Sequence, residues 1–293
     1  MSRPRALPRD LAERAFTVSE ARERGENGSR MRRADLARPA HGVRAALDLD
    51  VSLVECLALV LRPDQRFSHV TAARLWGAPV PRAHRTDPPV HVATVGPASL
   101  MRRPGVRAHR VPDGDTVVLG GLPVSGPARA WAECATLFDL RSLVVLGDHL
   151  VGRAALATVE DLARSLRPRG HGVVLGRAAL DAIRPGSESP METLVRLDVV
   201  DAGFPEPELN RDVHDEHGTF LGRVDMCWPE LRIALEYDGD HHREREVFLH
   251  DQRRGNGFAV NGWIIVHATA ADAGRPAVLV ERLRQAFAAR GRG

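Results

Sequence analysis

The chain contains no lysine: all 41 of its basic residues are arginine. This absence excludes a Schiff-base lysine and a lysine in a phosphate-binding loop. Aromatic residues are only 4% of the chain, so the 43% hydrophobic fraction is mostly alanine, valine and leucine. Cysteine is also scarce. Cys56, Cys134 and Cys227 lie far apart and form no CxxC pair, which excludes a zinc knuckle and a disulfide framework and predicts buried, reduced thiols.

Long apolar runs are absent as well. No stretch of 18 apolar residues occurs, so the sequence predicts no membrane-spanning helix and no membrane partner. The first residues, MSRPRALPRDLAERAF, lack the apolar segment of a signal peptide, and we expect a cytoplasmic protein. The length of 293 residues suits two or three domains. A net charge of +3 is compatible with nucleic-acid binding but too small to argue for it alone.

Residues 1–50 carry the pattern of a winged helix-turn-helix. Ser19 can cap a helix that ends at Gly25, Ser29 can cap a second, arginine-rich helix at 30–37, and a strand or wing follows at 40–47. The arginines that the second helix would present to DNA are Arg30, Arg32 and Arg33. A basic but merely solvated surface is the alternative interpretation.

Residues 51–185 predict a middle α+β domain. Ser68 begins a helix that ends at Gly77, and Gly120-Gly121 joins two short strands. Further segments predict helices at 52–61, 127–138, 142–151, 159–166 and 173–183 and strands at 90–95 and 106–110. The histidines of this region, such as His69, His91 and His149, are scattered along the sequence, so we predict structural or surface roles for them and no catalytic group.

The proline, glycine and serine of residues 184–190 predict a linker, and 186–293 a third domain. A helix at 191–202 and a strand at 207–213 precede two strand-like runs that flank Pro229. With the turn centred near Pro229, Asp225 pairs opposite Ala234. The alternation of strand side chains then places Asp225, Ala234, Glu236 and Asp238 on one face. Ile233, Leu235 and Tyr237 occupy the other face and supply core packing.

Three carboxylates on one face of a hairpin repel one another. The sequence offers no lysine and no nearby arginine on that face, so a divalent cation is the expected neutralising group. Magnesium prefers oxygen ligands, and manganese is the alternative ion. We therefore predict a metal site formed by Asp225, Glu236 and the carbonyl of Tyr237. A solvated hairpin end with accidental acids remains the alternative.

The spacing of Asp225, Glu236 and Asp238 resembles the core of PD-(D/E)XK nucleases. The segment VDMCW…LRIALEYDGDHH is similar to the branch related to very-short-patch-repair endonucleases, in which Glu-x-Asp-Gly-x-x-His follows an Asp. Positions that match the branch further are Gly239, His242, the helix acid Glu192, the segment 250–254 and the strand 262–269. Asp238 stands where other branches place a lysine, so the usual electrostatic partner of the nucleophilic water is absent.

This resemblance implies a restriction-endonuclease-like core with a mixed central sheet flanked by helices, and magnesium-dependent hydrolysis of DNA. The implied catalytic residues are Glu192, Asp225, Glu236, Asp238 and His242, with His241 as an alternative to His242. The arginines expected to contact phosphates are Arg243, Arg245, Arg253 and Arg254.

The segments FTVSEARERG, MRRADLARPAHGVRA and FSHVTAARLWGAPVP resemble the winged helix and following domain of antitoxins from abortive-infection type IV toxin–antitoxin systems. The resemblance implies DNA binding by analogy and leaves a toxin partner and the oligomeric state open. The sequence thus predicts an α/β (α+β) protein that is either a metal-dependent nuclease with a DNA-binding front, or a non-catalytic DNA-binding regulator that carries a degenerate nuclease fold.

Overall fold

The computed structural model describes residues 6–86, 89–112, 115–238, 254–269, 272 and 275–291. Helices, antiparallel pairs and mixed sheets all occur, which confirms the mixed α and β class. The chain divides into two compact units, Met1–Leu137 and Phe138–Gly293. The predicted boundaries at 50/51 and 185/186 each lie inside a unit, and the division into three domains stays a prediction. Within the described ranges, every helix is too short or too polar to cross a membrane.

The first unit combines short helices with two sheets. Its helices are α1 (Arg9–Ala12), α2 (Val18–Glu23), α3 (Leu53–Ala58), α4 (His69–Leu75) and α5 (Pro127–Cys134). Its strands are β1 (Phe16–Thr17), β2 (Leu36–Ala37), β3 (Val43–Ala46), β4 (Gln65–Phe67), β5 (Val90–Val95), β6 (Val106–Val111), β7 (Thr116–Leu119) and β8 (Leu122–Ser125). The predicted glycine turn is confirmed, because Gly120 and Gly121 both have positive φ and join β7 to β8.

The two sheets of the first unit differ in direction. The order β1-β3-β2 is antiparallel, whereas the order β6-β5-β4-β8-β7 is mixed, with parallel pairs β5–β6 and β4–β8. One apolar core joins them, since Val43 of β3 packs in the same cluster as Leu57 of α3 and Val92 of β5. The first 50 residues therefore share a core with the region that follows.

The prediction of a second helix in the helix-turn-helix is wrong. Residues 30–37 form only a single 3-10 turn, Arg30–Arg32, before the short strand β2. The side chain of Asn27 accepts a hydrogen bond from the backbone N–H of Arg30, and the Arg30 guanidinium forks onto both oxygens of Asp35 at 3.0 and 2.9 Å. These local side-chain bonds close a turn in place of a continuing helix.

The first predicted helix is present as α2, but its cap is Thr17, which accepts from the backbone N–H of Glu20, and not Ser19. Of the three arginines predicted to contact DNA, Arg30 is buried against Asp35, while Arg32 and Arg33 are exposed. The winged-helix assignment therefore has to rest on α2, the three-stranded sheet and the exposed pair.

The second unit is built on one mixed sheet. Its helices are α6 (Leu140–Val151), α7 (Val159–Ser165), α8 (Val173–Ala182), α9 (Pro190–Asp201) and α10 (Pro276–Ala289), and residues 254–260 are also helical. Its strands are β9 (Glu208–His214), β10 (Phe220–Trp228), β11 (Ile233–Asp238) and β12 (Ile264–Thr269). The order is β12-β11-β10-β9, with β11 and β12 parallel and the other pairs antiparallel.

Apolar side chains fix α9 and α10 to one face of this sheet. Val199 of α9 and Leu283 of α10 lie in one cluster with Met226, Ile233 and Leu235 of the central strands. The prediction that Ile233 and Leu235 supply core packing is confirmed, and Tyr237 packs against the same cluster. The opposite face carries a smaller cluster that includes Cys227, Ala234 and Phe258.

A buried ion pair connects α6 to α9. Asp148 accepts hydrogen bonds from Arg196, Thr193 and the backbone N–H of Arg184, at 3.0, 2.9 and 2.8 Å. Both charged side chains are 1% exposed. Burial raises the pKa of Asp148, and Arg196 and the two other donors oppose that rise. The helices α6 to α8 thus belong to the same packed body as the sheet.

Candidate functional site

Asp225 and Glu236 lie on the adjacent central strands β10 and β11. The ladder pairs Trp228 with Ile233 and Met226 with Leu235, and in this register Asp225 and Glu236 come next. Directly opposed residues of an antiparallel pair project from the same face. Both carboxylates therefore lie on the side of the sheet that faces away from α9 and α10's main cluster.

The predicted register is wrong by two residues, because Ala234 pairs with Cys227 and not with Asp225. The connection is longer than expected: Pro229–Leu231 form a 3-10 turn, and Arg232 adopts a left-handed conformation with φ 49°. A shift of two residues preserves the face of every side chain, so the predicted common face survives the error.

Asp225 is mostly buried, and Tyr237 donates its backbone N–H to Oδ2 at 2.7 Å. Burial raises the pKa of Asp225 to about 6; the Tyr237 N–H lowers it, Glu192 and Glu236 raise it further, and Arg254 lowers it. Acids from α9, β10 and β11 therefore act on one another. The predicted ligand role of the Tyr237 carbonyl stays a prediction.

Glu236 is 8% exposed, and Arg254 holds it. Arg254 donates to Oε2 from Nη1 at 3.0 Å and to Oε1 from Nη2 at 2.5 Å, and it also donates to the carbonyl of Arg223. The expectation that no arginine approaches this face is wrong. Arg254 reaches this face from the helical segment 254–260. That segment lies outside the hairpin, so the spacing of the hairpin residues could not predict the contact.

Gly222 makes room for this arginine. Its φ is 155°, and a Cβ there would lie 2.5 Å from Nε of Arg254 and 3.0 Å from the ring of Phe258. The guanidinium carbon of Arg254 in turn lies 5.5 Å from the centre of the Phe258 ring. The predicted contact of Arg254 with phosphate would have to compete with these partners.

Glu192 belongs to the first turn of α9, where Ser189 accepts its backbone N–H at 3.1 Å. Its Oε2 accepts from the backbone N–H of Glu188 and from Nδ2 of Asn210, both at 2.8 Å. The side chain is 9% exposed. Glu192 thus closes the start of the helix and also contributes negative charge beside Asp225.

Asp238, the last residue of β11, contacts a histidine that sequence reasoning missed. Its Oδ2 lies 3.1 Å from Nδ1 of His267 on the parallel strand β12. The segment around His267 predicts a strand, but nothing in it shows which strand it would pair with. The other predicted residues, His241, His242, Arg243, Arg245 and Arg253, lie outside the described residues.

Carboxylate oxygens of this kind are the ligands that a hard divalent cation such as magnesium prefers. The charges of Glu192, Glu236 and Arg254 all act on Asp225, and within the described ranges only the Tyr237 N–H donates to Asp225. Magnesium or manganese would be held by Asp225 and Glu236, with Glu192 nearby. Arg254 is the competitor, because it occupies both oxygens of Glu236.

A second group of titratable side chains was not expected. The predicted scatter of the histidines holds only along the sequence, because the structure brings His69, His91 and His109 of the first unit together. Burial comes first among the causes that lower their pKa values, to about 2, 3 and 4, and neighbouring positive groups add to it. All three rings are therefore neutral at physiological pH.

Comparison with known proteins shows the family to which the chain belongs. It is 32% identical over 220 residues to uncharacterized protein Rv2248 of Mycobacterium tuberculosis strain H37Rv, an alignment that covers 73% of this chain and 78% of the relative. The figures are the same for uncharacterized protein MT2308 of strain CDC 1551 / Oshkosh. The chain belongs to the family of these mycobacterial proteins. No protein-family model matches it, and no solved structure matches it. Kinship within this family assigns no activity, so function has to be argued from the site.

Proposed function

We propose that the second unit is a metal-dependent nuclease, similar to the very-short-patch-repair branch of the PD-(D/E)XK class, that hydrolyses phosphodiester bonds of DNA. The observation that carries the proposal is the placement of Asp225 and Glu236 on one face of adjacent central strands, where Glu192 also raises the pKa of the partly buried Asp225. A mixed sheet with helices packed on it is compatible with the implied endonuclease-like core.

In this proposal Asp225 and Glu236 would hold the ion, and Glu192 would orient a water beside it. Bound magnesium would lower the pKa of that water and stabilise the charge that develops on the phosphate. His242 is the proposed general acid or base. Asp238 contacts His267 at 3.1 Å, so its proposed role is to orient that imidazole near the end of β11.

A non-catalytic regulator is the second candidate, and one observation favours it. Arg254 holds Glu236 in a two-pronged ion pair, which neutralises one of the two acids that an active site would need for the metal. In this alternative the nuclease-like unit contacts DNA or a toxin protein without cleaving it. The resemblance of the first unit to antitoxins supports the same reading.

Cleavage assays separate the two candidates. The full chain is incubated with supercoiled plasmid and with single- and double-stranded oligonucleotides, in magnesium, in manganese and in chelator. We expect metal-dependent cleavage that Asp225→Asn and Glu236→Gln each reduce by roughly 10²–10³-fold, as for loss of a group that stabilises transition-state charge.

The matched control is Asp212→Asn, which removes an exposed carboxylate from β9 of the same sheet. This variant should cleave like the wild type. Absence of cleavage with either ion, in a wild-type chain that circular dichroism shows to be folded, would leave the regulator as the better conclusion.

We further propose that the first unit binds duplex DNA in the manner of the antitoxin winged helix, through the exposed Arg32 and Arg33. Each arginine–phosphate contact contributes about 0.9 to the slope of log affinity against log salt. The double variant Arg32→Gln/Arg33→Gln should therefore bind more weakly at low salt and with a shallower slope. Unchanged affinity and slope would contradict this interface, and Arg164→Gln, which removes an exposed arginine of α7 in the second unit, serves as the control.

A further inference from the structure

The first unit contains a three-histidine cluster that the proposed nuclease does not use. His69 begins α4, His91 lies on β5 and His109 on β6. The parallel ladder pairs His91 with Arg107 and Ala93 with His109, so the two histidines project from the same face, two residues apart in register. The start of α4 is fixed over them, because Ser68 donates its backbone N–H to the carbonyl of His91 at 3.0 Å.

The ring nitrogens of this cluster lie close together. One nitrogen from each ring can be chosen such that all three lie within 4.8 Å of one another, and Nδ1 of His91 lies 2.9 Å from Nε2 of His109. A tetrahedral ion with metal–nitrogen bonds of about 2.0–2.1 Å sets its ligands roughly 3.3 Å apart. The rings of His69 and His109 are stacked, with centroids 3.6 Å apart and planes 20° apart, so these rings would have to rotate for their nitrogen lone pairs to converge on one ion.

One nitrogen of the cluster lacks a partner. His91 is 0% exposed, and within the described residues its Nε2 is buried with no hydrogen-bond partner. Buried polar atoms are nearly always satisfied, so an exception calls for an explanation. The backbone of His69 adds a second irregularity: its φ is 49°, a left-handed conformation that a residue with a Cβ rarely adopts. Strain of this kind is concentrated at functional sites.

The surroundings of His69 resemble those of a metal ligand. Its Nδ1 lies 3.0 Å from Oγ of Ser68 and 3.7 Å from Oε2 of Glu133. Glu133 itself is held by Arg66 and by the backbone N–H of His69. Histidines that bind metals usually donate the second ring N–H to such an oxygen, which fixes the tautomer and leaves Nε2 to the ion.

From this geometry we infer that His69, His91 and His109 form a binding site for a zinc-class transition-metal ion, independent of the carboxylate site. Three imidazole nitrogens suit zinc, cobalt, nickel or copper, whereas magnesium prefers oxygen. Three protein ligands leave a fourth position for water or a further ligand. The ion would link α4 to β5 and β6 within the first unit.

The test is metal binding by the full chain. After removal of metals with a chelator and dialysis, zinc is titrated by calorimetry, and cobalt by the visible absorption that tetrahedral coordination produces. We expect one tight site per chain. His109→Gln, at the partly buried edge of the cluster, should weaken it by more than the roughly 10–100-fold that loss of an outer hydrogen-bond partner produces.

Two controls locate the site. His149→Gln changes a histidine of α6 in the second unit, and His217→Gln changes an exposed histidine between β9 and β10; both should bind zinc like the wild type. Zinc binding that survives His109→Gln and His69→Gln, or a folded wild type that binds neither zinc nor cobalt, would overturn the inference.

If the cluster variants fail to fold, X-ray absorption of the zinc-loaded wild type decides. Imidazole scattering from three nitrogen ligands would support the site. A shell of oxygen ligands or sulfur, or fewer than three imidazoles, would overturn it.

Discussion

At the carboxylate site of the second unit and at the histidine cluster of the first, burial and neighbouring like charges both favour the neutral form. They do so by raising the pKa of an acid at the first site and lowering the pKa values of the histidines at the second. Burial and neighbouring acids raise the pKa of Asp225 to about 6, whereas burial and neighbouring positive groups lower the pKa of His69 to about 2. The acids have a built-in counter-ion in Arg254, but the imidazoles are simply uncharged. An incoming cation must therefore displace an arginine at the carboxylate site, whereas at the histidine cluster it has to replace the contact between the neutral rings of His91 and His109.

The strongest test of this difference between the two sites is to remove the counter-ion of the carboxylate site. Arg254→Gln removes the ion-pair partner that Glu236 has among the described residues. We expect a loss of roughly 2 kcal/mol in the free energy of unfolding, below the value for a fully buried pair because Arg254 is partly exposed. Protection of β10 and β11 in hydrogen-exchange mass spectrometry reports the loss. Magnesium should then stabilise the variant more than the wild type.

The double variant Arg254→Gln/Glu236→Gln should recover most of that stability, because no charge remains unpaired. Arg164→Gln is the control: it breaks an exposed pair with Asp161 in α7 and should change stability by less than about 0.5 kcal/mol. Equal stabilisation of wild type and Arg254→Gln by magnesium would show that Arg254 does not compete with the ion.

A smaller effect comes from pH. The pKa of Asp225 is raised from 3.8 to about 6, so its protonated form favours folding and that stability is lost as pH rises through this interval. In chelator, Asp225→Asn should therefore gain stability over the wild type, by about 1–2 kcal/mol more at pH 8 than at pH 5. Urea unfolding at both values measures the difference. An identical gain for the exposed Asp212→Asn, or no change with pH, would contradict this assignment.

The smallest expected effect concerns the histidine cluster. Ser68→Ala removes the hydroxyl that contacts Nδ1 of His69 at 3.0 Å but keeps all three imidazoles. Zinc affinity should fall by about tenfold, as when an outer partner of a ligand is lost. Ser19→Ala, on the exposed side of α2, is the control. A zinc affinity that is the same for both variants would show that Ser68 does not orient His69.

The two sites also show what local sequence can predict. Strand β5 coincides with the predicted residues 90–95, and α7 with 159–166 to within one residue, because alternation and capping are local signals. The common face of Asp225 and Glu236 was predictable for the same reason, since a hairpin brings neighbours in sequence together. The second DNA-binding helix was not, because side-chain bonds of Asn27 and Asp35 override the helical pattern.

Long-range contacts explain the remaining errors. The histidine cluster depends on the parallel pairing of β5 with β6 and on the position of α4, and no short segment encodes either. Arg254 reaches Glu236 from 18 positions further along the chain. Residues that come to a site from a distant segment, such as Arg254, are thus harder to predict from the sequence than neighbours within one hairpin, such as Asp225 and Glu236.

The Asp148–Arg196 pair determines where the chain can be divided. A cut at 185/186, where proline and glycine suggest a hinge, would separate Asp148 from Thr193 and Arg196 and leave a nearly inaccessible charge on each fragment. A cut after Leu137 leaves this pair intact. Recombination between genes would meet the same restriction: the mixed sheet of the second unit can be exchanged as a working module only together with α6, α7 and α8.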